Sequence, residues 1–351
     1  MASQLATDKR RTETLGADLL VVGGGAAGVA AAIAAAGRGL RVIVVERYGF
    51  CGGGAVAGLS GTICGLYAAS EDEHAKPQKV VFGFVDDFMA AMESRGGLTA
   101  PVRYGKTFTR VHDPMVWRET ADALLADAGV EVMLHSLVTG VLMEGAERVE
   151  GVEVATKQGR FEIRARLVLD ASGDADVVAM AGLDYTVGED GAVQNPTMIF
   201  RMAGVDVARF LQAHGPDSIL GPEVSALMAS ADGHGYKLPR KKAFLFPTPR
   251  PGELLCNATR IVGRDGRELN PLDARDFTEA EVEGRKQARE YVRFFKAHLA
   301  GCESAFLNDT GVQVGIRETR QVAGVARLTN QDVVKATKFP TAIARLGSTV
   351  A

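Results

Sequence analysis

The chain has 351 residues, 46% of them hydrophobic and 24% charged, with a net charge of −3. That length allows two domains and a sizeable core, and the near-neutral balance gives no reason to expect nucleic acid or a membrane surface as a partner. The four cysteines, Cys51, Cys64, Cys256 and Cys302, have no C-x-x-C spacing, which argues against a metal site or a redox dithiol and fits a reduced, cytoplasmic chain.

Met1 to Gly16 is polar, carries Lys9-Arg10-Arg11 and lacks an apolar signal core, so a disordered lead-in is expected. Asp18-Leu19-Leu20-Val21-Val22 then predicts a strand, and Gly23-Gly24-Gly25-Ala26-Ala27-Gly28 a tight turn into a helix over Val29 to Ala36. Val42 to Val45 predicts a second strand, closing on Glu46. A strand, a glycine turn, a helix and a strand ending on an acid is the pattern that holds a dinucleotide. Gly23 permits the sharp turn. Gly25, without a Cβ, lets the backbone approach a pyrophosphate, and Gly28 lets the helix pack close to the sheet. Ala26 and Ala27 fall where the helix N-terminus offers N–H groups and partial positive charge to the phosphates. Glu46 is placed to accept hydrogen bonds from ribose hydroxyls. A buried Ala/Gly-rich helix would explain the apolar residues but not Glu46, and a membrane span would call for Leu and Ile where the glycines stand.

A Gly-rich loop follows from Tyr48 to Gly65. Lys79 to Arg95 predicts an amphipathic helix on Val80, Phe84, Phe88 and Met92, and Val102 to Val111 a strand. Asp113-Pro114 reads as a helix start, running to about Ala128 and stopping at Gly129. Val130 to His135 predicts the third parallel strand of a doubly wound sheet. Val138 to Met143, Val149 to Thr156 and Gly159 to Ile163 predict three antiparallel strands. Leu167 to Asp170 then returns to the parallel sheet and ends in Ala171-Ser172-Gly173-Asp174.

From about Tyr185 to Asn308 the pattern becomes mixed. Strands are expected at Thr197 to Met202 and Leu254 to Thr259, and helices at Asp206 to Ala213 and Thr278 to Leu299. Gly311 to Ile316 reads as a strand leading back out. The expected fold is α/β, a Rossmann-like nucleotide-binding domain with a three-stranded antiparallel insertion, carrying an inserted mixed α/β substrate domain. The boundaries are 1–16 for the lead-in, 17–184 for the nucleotide-binding domain (48–110 partly on the substrate side), 185–310 for the substrate domain and 311–351 for the return.

Two further motifs favour FAD over NAD. Glu46-Arg47 is followed by Gly52-Gly53-Gly54-Ala55, and a second glycine segment suits a long cofactor lying along the domain. The Asp170-Ala171-Ser172-Gly173-Asp174 turn brings more backbone toward the cofactor, with Ser172 as a polar contact. On these motifs the chain resembles the FAD-dependent oxidoreductases of the glutathione-reductase-like superfamily. More narrowly, it resembles bacterial members that share a GIRETR stretch, here Gly315-Ile316-Arg317-Glu318-Thr319-Arg320. The resemblance implies that Gly23, Gly25, Gly28, Glu46, Arg47, Gly53, Gly54, Ser172, Gly173 and Asp174 lie at the FAD, and that Val138 holds the adenine through its backbone. Such proteins continue past GIRETR into a strand, a turn and a helix that meet the flavin ring, so the resemblance implies truncation near Arg345.

Candidates for the chemistry are few. Cys51 either faces the flavin in a redox role or is a small buried hydrophobe. Arg317 either grips a substrate carboxylate or forms an ion pair with Glu318 or Glu303. Lys237, Arg240, Lys241 and Lys242 form a basic run expected to be a solvated loop. His112, before the helix cap, is expected to be structural. No second nucleotide-binding unit is visible, so a hydride donor would enter the substrate cleft, or a partner protein would supply electrons. The leading expectation is an FAD enzyme acting on a small organic substrate by hydride transfer. The alternatives are an FAD-binding subunit or remnant without turnover and an NAD(P)-dependent Rossmann dehydrogenase.

Overall fold

The computed structural model describes residues 13–72, 74–189 and 191–342. Most of the expected lead-in and the chain end near Arg345 lie outside the described residues. In chain order the elements are β1 (Glu13–Val22), α1 (Ala26–Ala36), β2 (Val42–Val45), α2 (Gly53–Val56), β3 (Thr62–Ile63), α3 (Phe84–Ser94), β4 (Val102–Tyr104), β5 (Thr107–Val111) and α4 (Pro114–Asp127). They continue as β6 (Glu131–Met133), β7 (Leu137–Glu144), β8 (Arg148–Ala155), β9 (Arg160–Asp170), α5 (Asp176–Met180) and β10 (Tyr185–Val187). Then come β11 (Phe200–Ala203), α6 (Val207–His214), α7 (Pro222–Ala229), β12 (Phe244–Pro247), β13 (Glu253–Asn257), α8 (Ala274–His298), β14 (Phe306–Thr310), β15 (Arg320–Val322) and α9 (Asn330–Val334).

The chain separates into two compact units. Among the described residues, one takes those up to Gly53 together with Ala121–Tyr185; the other takes Gly54–Thr120 and those from Thr186 onward. The loop and hairpin over 54–120 therefore fall wholly in the second unit, where the sequence suggests a partial share. The segment after Thr310 also groups with the second unit.

The first unit is built on one six-stranded sheet, ordered β6-β2-β1-β9-β8-β7. β1 is parallel to β2 and β9, and β2 to β6. The four residues of β2 are all buried, as a central parallel strand covered on both faces requires. Leu20, Val22, Ile43, Val45, Val152 and Ile163 supply the core of this unit. Two expected elements merge here. Gly159 to Ile163 and Leu167 to Asp170 are one continuous strand, β9, whose first half is antiparallel to β8 and whose whole length is parallel to β1. That pairing starts at Glu13 opposite Phe161, so Glu13 to Gly16 belong to the sheet and not to a disordered lead-in. A polar segment is ordered because its backbone groups have a partner strand.

In the second unit a four-stranded antiparallel sheet, β12-β13-β11-β14, packs with the 25-residue helix α8. Phe200, Met202, Leu254, Tyr291 and Phe295 fill the shared core. α8 presents Ala280, Gly284 and Ala288 at four-residue steps before Tyr291 and Phe295. These small residues let the helix approach closely: a Cβ on Gly284 would stand 2.9 Å from Met198 and Ile261. β3-β5-β4 form a small antiparallel sheet, and β10-β15 a two-stranded one. The strand suggested over Gly311 to Ile316 is instead irregular, joined by a single bridge between Thr197 and Gly315; the regular strand, β14, precedes it. Helix α3 starts at Phe84 and not at Lys79, because Gly83 has φ 104° and ends the extended lead before it.

Charge inside this unit is mostly paired. Arg201 donates from Nε to Asp309 Oδ1 at 2.9 Å and from a terminal nitrogen to Glu253 Oε1 at 3.3 Å, with Arg201 and Glu253 both buried. His112 is buried without such a partner. It lies against Trp117, and neither ring nitrogen has a partner. Burial pulls its pKa from 6.5 to about 4, so the folded protein keeps it neutral.

Two outcomes follow from this packing. Asp273 caps α8, accepting from the N–H groups of Arg275 and Asp276 at 2.8 and 3.1 Å. Asp273→Ala should cost about 1 kcal/mol in urea unfolding with an unchanged slope. Between pH 6.5 and 4 the unfolded chain binds a proton at His112 that the folded chain refuses, so stability should fall as pH drops through that window. The loss should approach about 3 kcal/mol from this residue, and an acid titration of His112→Phe should lack that component.

Candidate functional site

The glycines of the first turn serve different ends. Gly23 has φ 102°, and a Cβ there would stand 2.4 Å from the Ala171 carbonyl oxygen. The loops after β1 and β9 thus cross back to back, tied by the Ala171 N–H donating to Val22 O at 2.8 Å. A Cβ on Gly28 would lie 1.9 Å from Gly23 O, so Gly28 sets how closely α1 approaches the sheet. Gly25 is another matter. Its φ is −69°, which any residue adopts, and its nearest neighbour to an added Cβ is Gly53 Cα at 3.7 Å. Nothing in the protein requires glycine there. The space in front of it is open, and no side chain caps α1. Gly53, at φ 49°, lies against Gly25, and Gly52 N–H donates to Gly24 O at 2.8 Å. Two glycine segments therefore line an uncapped helix N-terminus, including Ala26 and Ala27, with no side chain in the way of an anionic ligand.

Glu46 is 4% exposed. Its Oε2 accepts from Gly24 N–H at 2.7 Å and its Oε1 from Tyr48 N–H at 2.8 Å. These bonds fix the carboxylate at the mouth of a cleft and leave acceptor capacity on both oxygens for hydroxyl groups. Arg47 beside it is exposed, with its guanidinium 5.0 Å from the Tyr48 ring centre. Val138 also lines the cleft. It lies on β7, the edge strand, beside a register shift between Val138 and Gly140, so backbone there is available outside the ladder.

Ser172 lines the same cleft, but its hydroxyl is engaged. It donates to Asp170 Oδ1 at 2.6 Å and accepts from Asp176 N–H at 3.0 Å. Asp170 Oδ2 accepts from the N–H groups of Val177 and Val178 at 2.9 and 3.1 Å. The acid at the strand end thus organises the whole turn and the start of α5, a role the motif alone does not reveal. Gly173 has φ 91° with nothing within 4 Å of an added Cβ, and Asp174 follows in the same turn. Ser136 and Met180 also line the cleft and carry no sequence motif. Ser136 reaches it because its N–H donates to Glu46 O at 2.9 Å, a contact between residues far apart in the chain.

Cys51 is fully buried. Burial, followed by the charges of Glu46 and Asp122, pushes its thiol up to about 12. That is the environment of a packing thiol, the second of its two expected roles. Gly54 and Arg317 lie in the second unit. Arg317 Nε donates to Thr197 Oγ1 at 3.0 Å. The expected ion pairs are not formed: Glu303 is paired with Arg209 at 2.9 Å, and Glu318 accepts from Gln194 N–H and the Gln321 amide. Among the described residues no cluster of His, Cys, Asp and Glu could hold a metal, and no helix is long and apolar enough to cross a membrane.

Residues 18–350 match the family model described as FAD dependent oxidoreductase, and the chain belongs to that family. Its cofactor is FAD, which sets aside the NAD(P)-dependent alternative. Over 197 residues the chain is 30% identical to digeranylgeranylglycerophospholipid reductase 1 of Methanococcoides burtonii, covering 54% of this chain and 45% of that protein. Over 199 residues it is 34% identical to digeranylgeranylglycerophospholipid reductase 2 of Methanopyrus kandleri, covering 54% and 46%. The chain spans about half the length of the curated relatives it matches. Among solved structures, it resembles a geranylgeranyl bacteriochlorophyll reductase-like protein of Thermoplasma acidophilum, with TM-score 0.52 and 19% identity over 90% of this chain and 68% of that one. It also resembles p-nitrophenol 4-monooxygenase of Pseudomonas putida, with TM-score 0.53 and 15% identity over 90% and 70%. At these identities the likeness is one of fold.

The burial of Cys51 gives a direct check. Iodoacetamide at pH 8 followed by peptide mass spectrometry should label the exposed Cys64 in the folded protein and leave Cys51 unmodified until denaturant is added.

Proposed function

From membership of the FAD-dependent oxidoreductases we propose that this chain binds FAD in the cleft of its first unit and acts on a small organic substrate by hydride transfer to or from the flavin. The observation that carries the reading is the pairing of an open, uncapped glycine turn at Gly25 with the buried Glu46 carboxylate, joined through the Gly24 N–H within one unit. The residues fit the cofactor part by part. The turn from Gly23 to Gly28, with the Ala26 and Ala27 N–H groups, suits the pyrophosphate. Glu46 suits the ribose hydroxyls, with Arg47 beside it. The β7 edge at Val138 suits the adenine.

Gly53 and Gly54 continue the path along the second glycine segment, and Ser172, Gly173 and Asp174 bound the cleft from the β9 side. Bound FAD would supply the two-electron redox chemistry. The contribution of the protein is to bind and orient the cofactor and the substrate. Ser172, already bonded to Asp170 and Asp176, acts in this scheme by holding the turn's shape. The narrower likeness through the stretch Gly315 to Arg320 adds Arg317 as a substrate-gripping residue. Its freedom from carboxylate partners supports that role. A hydride donor or an electron-transfer protein completes the cycle.

Gly25→Val separates binding from folding. A Cβ at Gly25 meets nothing closer than Gly53 Cα at 3.7 Å, whereas one at Gly28 would strike Gly23 O. Wild type incubated with FAD and desalted should keep the visible bands of oxidised flavin. Gly25→Val should keep its circular dichroism and unfolding midpoint and lose those bands. Wild type that stays colourless in excess FAD, or a folded Gly25→Val with undiminished flavin, would overturn the placement.

A further inference from the structure

The second unit contains a hollow of about 650 Å³ whose polar lining includes three arginines. Arg240, Arg260 and Arg317 all reach it. Each guanidinium is held by a neutral partner. Arg240 donates to Asn257 Oδ1 at 2.9 Å and lies 4.6 Å from the Phe244 ring centre. Arg317 donates to Thr197 Oγ1 at 3.0 Å. Arg260 donates to the Asn195 side-chain oxygen at 3.2 and 3.3 Å, in the amide orientation that lets the Asn195 nitrogen donate to Ile261 O. Among the described residues none of the three has a carboxylate within ion-pair distance.

Many arginines elsewhere in the same unit are neutralised, though Arg95 and Arg103 donate to backbone carbonyls instead. Arg201 holds Asp309 and Glu253, Arg250 holds Asp113, Arg264 holds Glu283, and Arg267 holds Asp265, Asp276 and Glu279. A solvated arginine without an acid is ordinary on a surface. Three converging on one hollow are not, because like charges in a partly desolvated space repel unless an anion lies between them. Arg240, half-buried, registers this: burial first and then the charges of Arg317 and Arg260 pull its pKa below the usual guanidinium range.

Three acids also line the hollow. Glu318 is engaged by Gln194 and Gln321, while Glu189 and Glu268 are exposed. They are near enough to meet hydroxyl or amino groups of a ligand without having quenched the arginines.

We propose that this hollow is an anion-recognition site in which Arg240, Arg260 and Arg317 take a carboxylate or phosphate group of the substrate. Guanidinium forks match both groups through paired N–H bonds, and the neutral partners hold the forks in place while leaving N–H groups to share. That the anion belongs to a substrate rests on the oxidoreductase reading. That the hollow takes an anion does not.

The test uses the full chain in isothermal titration calorimetry, at constant ionic strength in chloride, with inorganic phosphate and succinate as separate titrants. At least one should bind saturably, with affinity weakened about tenfold in Arg317→Gln and in Arg260→Gln, and lost in the double variant. Both side chains are exposed, so the variants should keep the wild-type unfolding midpoint. A response to phosphate alone assigns a phosphoester, and to succinate alone a carboxylic acid. No saturable heat with either, or undiminished binding in a folded double variant, overturns the proposal. Flavin retention, read from visible absorbance on the same samples, keeps the two readings apart. Flavin retained without anion binding counts against this hollow alone, and anion binding without flavin counts against the FAD cleft alone.

Discussion

The first unit depends on one buried carboxylate. Glu46 sits at the end of β2 and receives the N–H of Gly24, in the turn after β1, and of Tyr48, in the loop that follows. An ionised group removed from water is costly unless its lone pairs are met, and here the backbone meets them. The charge thereby helps fix the mutual position of the two loops, together with the Gly52 N–H to Gly24 O bond. The geometry a ligand would use is thus in place before it arrives, which lowers the ordering cost of binding.

Asp170 repeats the device at the end of β9, on the other side of β1. Its carboxylate gathers the N–H groups of Ser172, Val177 and Val178. Adjacent parallel strands, β1 and β9, therefore open into loops shaped by acids at the carboxyl end of the sheet, where open α/β sheets place their ligands. The two loops then touch through backbone alone, Gly23 against Ala171, which is why the first glycine of the motif tolerates no side chain.

Much of this is legible in the chain itself. Gly23, Gly28 and Glu46 announce their roles because sharp turns, close helix packing and ribose-facing acids each demand one residue type at one spacing. Asp113 before Pro114 announces a helix start for the same local reason, and its Oδ1 accepts from the N–H groups of Met115 and Val116. What stays hidden is set by partners distant in sequence. Glu13 to Gly16 look like a tail until β9 pairs with them. Ser136 looks like a linker until Glu46 O receives its N–H. Arg240 reads as part of a solvated basic run, yet it is half-buried and held by Asn257 and Phe244. A charge run reports composition, not the direction in which each member turns.

The continuity of β9 constrains how such a chain can vary in length. One strand serves both the antiparallel flap with β8 and the parallel sheet with β1, and its register on β1 is constant from Phe161 to Asp170. An inserted or deleted residue anywhere along it would turn the inward-facing Phe161 and Ile163 toward the opposite face or carry Asp170 off its turn. Homologous chains should therefore differ in size at the β7–β8 hairpin around Gly145, where the backbone already bends outside the ladder, while the distance from flap to ligand turn stays constant.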